Sequence, residues 1–176
     1  TVDRYLMDTP DKGDGSLTGY NVWKWIDYDN YNYPYAGAGS PDFSTNWIIL
    51  RYAEIYLNDA EARLETGDVE GARKAVNMIR QRVGLPDLTE SDPEKLRELI
   101  RKERRIEFAF EEQRFYDVRR WKIGPETQTT LHGVRFVSPT EFKVTKTDIR
   151  TWNDRLYLTP VPHDEIVRSS VLKQNP

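Results

Sequence analysis

Two apolar stripes on either side of Gly67-Asp68 constrain this chain more than any other feature. Ile49, Tyr52, Ala53, Tyr56, Ala60 and Leu64 recur at three- and four-residue steps, and Val69, Ala72, Ala75, Val76, Ile79 and Val83 repeat the pattern. Each stripe describes one face of a helix. Gly67 stops the first helix, Asp68 caps the second, and Gly84 with Pro86 ends it. Helices joined by so short a link pack antiparallel. With 176 residues the chain is long enough to bury a core around that hairpin without a staple.

The spacing of small and large residues is similar to a single tetratricopeptide-type hairpin, without the repeats of an array. A third, long helix is expected from Ser91-Asp92-Pro93-Glu94, with Ser91 as cap and Glu94 as the carboxylate of a capping box. It runs past Phe110 and continues or restarts through Trp121 until Gly124-Pro125, with Leu96, Leu99, Ile106 and Phe110 as its apolar face. Leu131 to Val137 and Glu141 to Lys146 are β-prone runs around Ser138-Pro139-Thr140, a hairpin pattern. Tyr157 to Pro162 is extended, and Asp164-Glu165-Ile166 starts a last helical turn. The fold class is therefore mainly α: a tetratricopeptide-like α-hairpin plus a long third helix, with irregular and short β segments. As one domain over 1–176, it comprises an irregular aromatic-rich arm (1–47), a helical core (48–124) and a β-hairpin with an extended tail (125–176).

Composition narrows the function. There is no cysteine, which excludes a disulfide framework, a thiolate metal site and a cysteine nucleophile. Lys and Arg number 26 against 29 Asp and Glu, a net charge of −3, whereas a nucleic-acid binder carries the opposite bias. No apolar run approaches the roughly 18 residues of a membrane span. Thr1-Val2-Asp3-Arg4 carries no targeting signal and no initiator Met, so the chain is expected to be a processed or excised piece of something larger.

Catalytic motifs are scarce. Gly13 to Gly19 misses the dinucleotide fingerprint by one residue, and no nucleophile elbow or P-loop is present. His132 and His163, the only histidines, each lie in a region without a plausible catalytic Ser or Asp partner, although Asp164 adjoins His163. Two acids of a glycosidase need no motif, so the sequence leaves that chemistry open. Asp11 with Asp14, or Asp27 with Asp29, lacks the full oxygen-ligand spacing of a calcium loop. No metal or cofactor is expected.

Two constellations remain. Between Glu94 and Lys122 stand ten basic and seven acidic residues, the mixture of a salt-bridged helix, with Glu98–Lys102 and Glu111–Arg114 at helical spacing. Glu103 falls on the apolar stripe and needs a cation, for which Arg51 or Arg80 is placed. Glu103, Glu107 and Glu111 form a carboxylate row, but the histidine of a di-metal helix site is missing. The second constellation is aromatic. Trp23 and Trp25 alternate, and Tyr28, Tyr31, Tyr33 and Tyr35 follow, interleaved with Asp27, Asp29, Asn30 and Asn32. Rings beside amides and carboxylates suit a sugar, which offers apolar C–H faces and a rim of hydroxyls. The same rings also suit packing on the helical hairpin as core.

Arg51 to Ala62 resembles the R-x-A-E-x-x-L-x-x-A-E-A segment of the SusD/RagB family, and Val76 to Leu85 its N-x-I-R-x-R-x-G-L motif. Glu103 to Glu111 and Arg114 to Trp121 are similar to its E-R-R-x-E-x-x-F-E…R-x-x-D-x-R-R-W signature. Tyr157 to Ile166, with Gln174-Asn175-Pro176, resembles its closing segment. The resemblance covers 19–176 and corresponds to the family's C-terminal part, without the N-terminal helices and the lipid-bearing cysteine. Glu112 stands where many members have glycine. The resemblance implies a non-catalytic lipoprotein of the outer membrane and cell surface of Bacteroidetes-type bacteria. Its partners would be an oligosaccharide or polysaccharide, peptide in some branches, and a TonB-dependent SusC-like transporter. Contact with the membrane would be through the lipid anchor alone. The alternative is a structural half that scaffolds such a protein without a ligand site. The resemblance also implies that the charged motifs are structural, a network of Arg51, Glu54, Arg80, Glu103, Arg104, Arg105 and Glu107. The ligand residues are then sought in the loop: Trp23, Trp25, Tyr28, Asp29, Asn30, Tyr31, Asn32, Tyr33 and Tyr35.

Overall fold

The computed structural model of the chain describes Lys24, residues 46–138 and residues 141–175. The described residues from 46 onward fall into two compact units, 46–114 and 115–175. Among them the structure is mainly helical with one two-stranded sheet.

In the first unit, α1 (Tyr52–Glu65) and α2 (Val69–Arg82) form the hairpin that the two stripes require. Gly67 makes the reversal at φ +88°, a left-handed angle that costs a residue with a Cβ. Asp68 caps α2 by accepting from the Gly71 N–H at 2.8 Å. The third helix, α3 (Pro93–Glu107), packs on both. Its cap is Asp92, not Ser91: the Asp92 carboxylate accepts from Lys95 N–H, and Pro93 takes the first helical position, where no N–H is needed. The expected box therefore does not close through Glu94. Glu90 covers the approach instead, accepting from the Ser91 and Asp92 N–H groups.

The core of this unit consists of Ala53, Leu57, Ala60 and Leu64 from α1, Ala72, Ala75, Val76 and Ile79 from α2, and Leu96, Ile100 and Phe108. Two apolar faces are rotated from their expected phase. Arg51 is extended, so α1 begins after Ile49; Ile49 is exposed, Tyr52 is 69% exposed, and Leu57 takes the buried place. On α3 the inward positions are Leu96, Ile100, Glu103 and Arg104, while Ile106 is 61% exposed. On α2, Val83 caps the C-terminus and is exposed.

The charged stretch is broken. α3 stops at Glu107, and α4 (Gln113–Trp121) restarts after a turn in which Phe110 and Glu112 adopt φ +62° and +64°. Glu112 thus occupies a backbone conformation suited to glycine.

In the second unit α4 ends at Trp121, before Gly124-Pro125 as the sequence predicts, and α5 (Gly124–Thr127) begins at that same pair, since proline is tolerated in a first turn. Gly124 is buried under the Trp152 indole, and its N–H donates to the Tyr157 hydroxyl at 3.1 Å. β1 (Thr130–Phe136) and β2 (Phe142–Ile149) pair antiparallel, with Val134 opposite Val144 and a register irregularity at Leu131/His132. A 3-10 turn over Asp154–Tyr157 and α6 (His163–Arg168) complete it. The chain end folds back: Gln174 mimics a backbone pair, accepting from Val161 N–H and donating to Val161 C=O, both at 3.0 Å. Asn175 Nδ2 donates to Thr159 C=O at 2.6 Å.

Candidate functional site

The aromatic candidates, Trp23, Trp25, Tyr28, Asp29, Asn30, Tyr31, Asn32, Tyr33 and Tyr35, lie outside the described residues. The same holds for Asp11, Asp14 and Asp27.

The charged constellation lies in the first unit and is assembled from all three helices. Extended Arg51 turns its guanidinium onto the end of α3: Nε donates to Glu111 at 2.7 Å, Nη1 bonds Glu107, and Nη2 donates to the Glu107 backbone carbonyl at 2.7 Å. The carbonyl is one of the orphan acceptors of a helix C-terminus, so this contact caps α3 with a cation. Arg82 from the end of α2 reaches the same Glu107 oxygen at 2.8 Å. Glu103, 7% exposed, receives Arg80 at 2.8 Å, and the Arg80 Nε also donates to the Pro86 carbonyl. Of the two cations available by sequence, Arg80 takes Glu103, while Arg51 serves Glu107 and Glu111.

Arg104 is buried as well and donates to Asn58 at 2.7 Å. Its guanidinium lies 5.2 Å, and that of Arg51 4.6 Å, from the centroid of buried Phe108. Gln113 donates to Glu54 at 3.4 Å. Arg105 is exposed and its side chain makes no ion pair among the described residues. Glu98 lies 3.8 Å from Arg101 rather than pairing with Lys102, and Glu111 is engaged by Arg51. Burial pulls the Arg51 guanidinium down, but the bonds from Glu111 and Glu107 outweigh it, and its pKa stays above the ordinary arginine value. Each member of the carboxylate row thus accepts from a guanidinium. Among the described residues no three His, Asp or Glu side chains gather as a cation site. His132 and His163 are exposed, and neither ring hydrogen-bonds among the described residues.

A concavity of the second unit had no counterpart in the sequence reading. Arg155, Leu158, Pro160, Gln174 and Asn175 line a cavity of about 240 Å³. Its residues come from two segments, 155–160 and 174–175, brought together by the Gln174 and Asn175 bonds. No motif marks it; the one sequence signal is a pair of amides following an extended, proline-rich run.

A helical hairpin carrying a third helix, stitched by part-buried arginine–glutamate pairs and followed in sequence by a small unit with a β-hairpin, defines a mainly helical class of protein. The family model for the SusD family matches residues 4–176, and the chain belongs to that family. It is 37% identical over 151 residues to a SusD-like protein, P2, of Formosa agariphila, covering 80% of this chain and 27% of that one. A second protein of that organism, SusD-like protein P25, is 32% identical over 165 residues, covering 84% and 29%. The crystal structure of a SusD-like protein from Bacteroides fragilis superposes with a TM-score of 0.88 at 97% identity, covering 99% of this chain and 33% of that one. The chain therefore spans a third or less of the length of these relatives. Among the described residues no helix is long and apolar enough to cross a membrane.

Proposed function

We propose that this chain is part of a non-catalytic, cell-surface protein that binds oligosaccharide nutrients for uptake through a TonB-dependent outer-membrane transporter. The observation that carries the reading is membership of the SusD family over residues 4–176. The charged residues support it by their arrangement. Glu103, Glu107 and Glu111 are each held by arginine, so they act as fasteners between helices and are not available as an acid and base pair. The aromatic stretch is one place for sugar contact, with Tyr31 and Tyr33 to stack on ring faces and Asp29, Asn30 and Asn32 to bond hydroxyls.

The test is a tryptophan-fluorescence titration of the chain with a panel of neutral and acidic oligosaccharides and short peptides, with chromatography of the ligand afterwards. Saturable binding of a glycan without turnover is expected, weakened by Tyr31→Ala and Tyr33→Ala. Unchanged affinity in both variants would remove the loop from the account, and product release would make the protein a hydrolase. A scaffold without a ligand site is the second reading. It is favoured by the outward apolar side chains of α1 and α3, Tyr52, Ile55 and Ile106, in a chain a third the length of its relatives.

A further inference from the structure

The cavity between the 3-10 turn and the chain end has the makings of a carboxylate site. Arg155 lines it, and its guanidinium makes no ion pair or hydrogen bond among the described residues. Neighbouring Asp154 does not pair with it. Arg155 is exposed, and among the described residues the five N–H donors of its planar fork have no partner, a geometry that matches a carboxylate bound at the concave surface the residue lines. The two amides in the cavity's lining are held by hydrogen bonds. Both polar atoms of Gln174 are consumed by Val161 and Asn175, and Asn175 Nδ2 is spent on Thr159, leaving the Asn175 side-chain oxygen as an acceptor. Leu158 and Pro160, both exposed, give the lining an apolar part. At about 240 Å³ the space is below the roughly 300–1,000 Å³ of drug-sized pockets, which suits one ring rather than a chain.

We propose that this cavity binds a uronic-acid unit of an acidic glycan: the carboxylate on Arg155, the C–H face of the ring on Leu158 and Pro160, and a hydroxyl donating to Asn175. The assignment rests on the glycan-binding reading and refines it from glycans in general to those carrying carboxylates. A carboxylate on a peptide offers the same charge without a pyranose face or ring hydroxyls, so sugar and peptide are separable.

Isothermal titration of the 176-residue chain decides the matter with four probes: oligogalacturonate, oligoglucuronate, the same oligomers after carboxyl reduction to neutral sugars, and an acidic dipeptide. Acidic oligomers should bind, their carboxyl-reduced forms about tenfold or more weaker, as expected for a charge-assisted hydrogen bond. Arg155→Ala should weaken the acidic oligomer to the level of its reduced form and leave the reduced form unchanged. Because the Arg155 side chain is exposed and has no partner among the described residues, the variant should keep its circular dichroism and melting midpoint. Equal binding of acidic and reduced oligomers, or an acidic affinity indifferent to Arg155→Ala, overturns the uronate site and leaves the glycan reading standing. Absence of binding to any sugar overturns both. Arg155-dependent binding of the dipeptide with no uronate binding overturns the sugar assignment in favour of a peptide carboxylate.

Discussion

Glu112 holds φ +64° with its side chain in solvent and no partner among the described residues. A left-handed angle costs a residue with a Cβ about 1–2 kcal/mol, part of which is offset because glycine loses more freedom on folding. Glu112→Gly should therefore raise stability by about 1 kcal/mol, read as a higher urea midpoint at unchanged slope. A lower midpoint would mean that the carboxylate matters more than the backbone angle. Glu103 presents the opposite case, a charge whose value lies wholly in its partner. With Arg80 removed, Glu103 stays in the core without compensation, and Arg80→Met should cost about 3 kcal/mol. The double variant Arg80→Met/Glu103→Leu should recover most of that loss, since a packed apolar pair has no desolvation penalty to offset. A double variant as unstable as the single one would show that the bond to the Pro86 carbonyl, not the ion pair, is what Arg80 provides.

At the scale of elements, the caps make the hairpin acid-sensitive. The Asp68 carboxyl is held below its ordinary value first by the Gly71 N–H and then by Arg63, and that of Asp92 chiefly by the Lys95 N–H. A carboxyl depressed in the folded state contributes its stability in full above the unfolded value and loses it as pH falls through the folded value. The loss thus begins near about pH 4 and continues below it. Asparagine caps as well as aspartate but does not titrate, so Asp68→Asn should flatten the fall of the melting midpoint between about pH 4.5 and 2. An unchanged slope would place the acid sensitivity elsewhere. The existence of α1, α2 and α3 was legible because apolar spacing reports a buried face. Their phase was less so: Ile49, Tyr52 and Ile106 are apolar yet face outward, and hydropathy alone does not distinguish an exposed aromatic from a core one. The restart after Phe110 was open in the sequence, and the family resemblance pointed to a break at Glu112; no glycine or proline marks it in this chain, and Phe110 and Glu112 accept the positive angles themselves. Of the candidate site, Arg80 as partner of Glu103 was readable as a charge on an adjoining helix, whereas Arg82 on Glu107 was not. The Arg155 cavity was not, since it depends on where an irregular chain end returns.

The whole molecule is uneven in what holds it. Among the described residues the first unit buries eleven side chains in one hydrophobic cluster, ten from the three helices and Phe108 just after α3, with Leu57, Ala60, Ala72, Val76 and Leu96 buried completely. In the second, Val118 is the large apolar residue buried among the described residues, every residue of β2 is exposed, and the pairing is a single two-stranded sheet. Such a sheet is marginal by itself. Its neighbourhood is fastened instead by Trp152 lying over Gly124 and by Tyr157 accepting the Gly124 N–H, contacts that leave no room for a methyl group: a Cβ on Gly124 would come within 2.1 Å of the indole. Local opening tracks burial, so amide exchange should divide the chain. The amides of Leu57, Val76 and Ile100 should exchange only through the largest opening, and those of 130–136 and 142–149 through smaller, local ones. Gly124→Ala should cost about 1–3 kcal/mol, as overpacking does, and speed exchange in the β-hairpin while leaving the three core amides near their original rates. Equal protection in both regions, or a uniform loss on substitution, would instead make the chain one cooperative body in which the thin second unit borrows its stability from the helices.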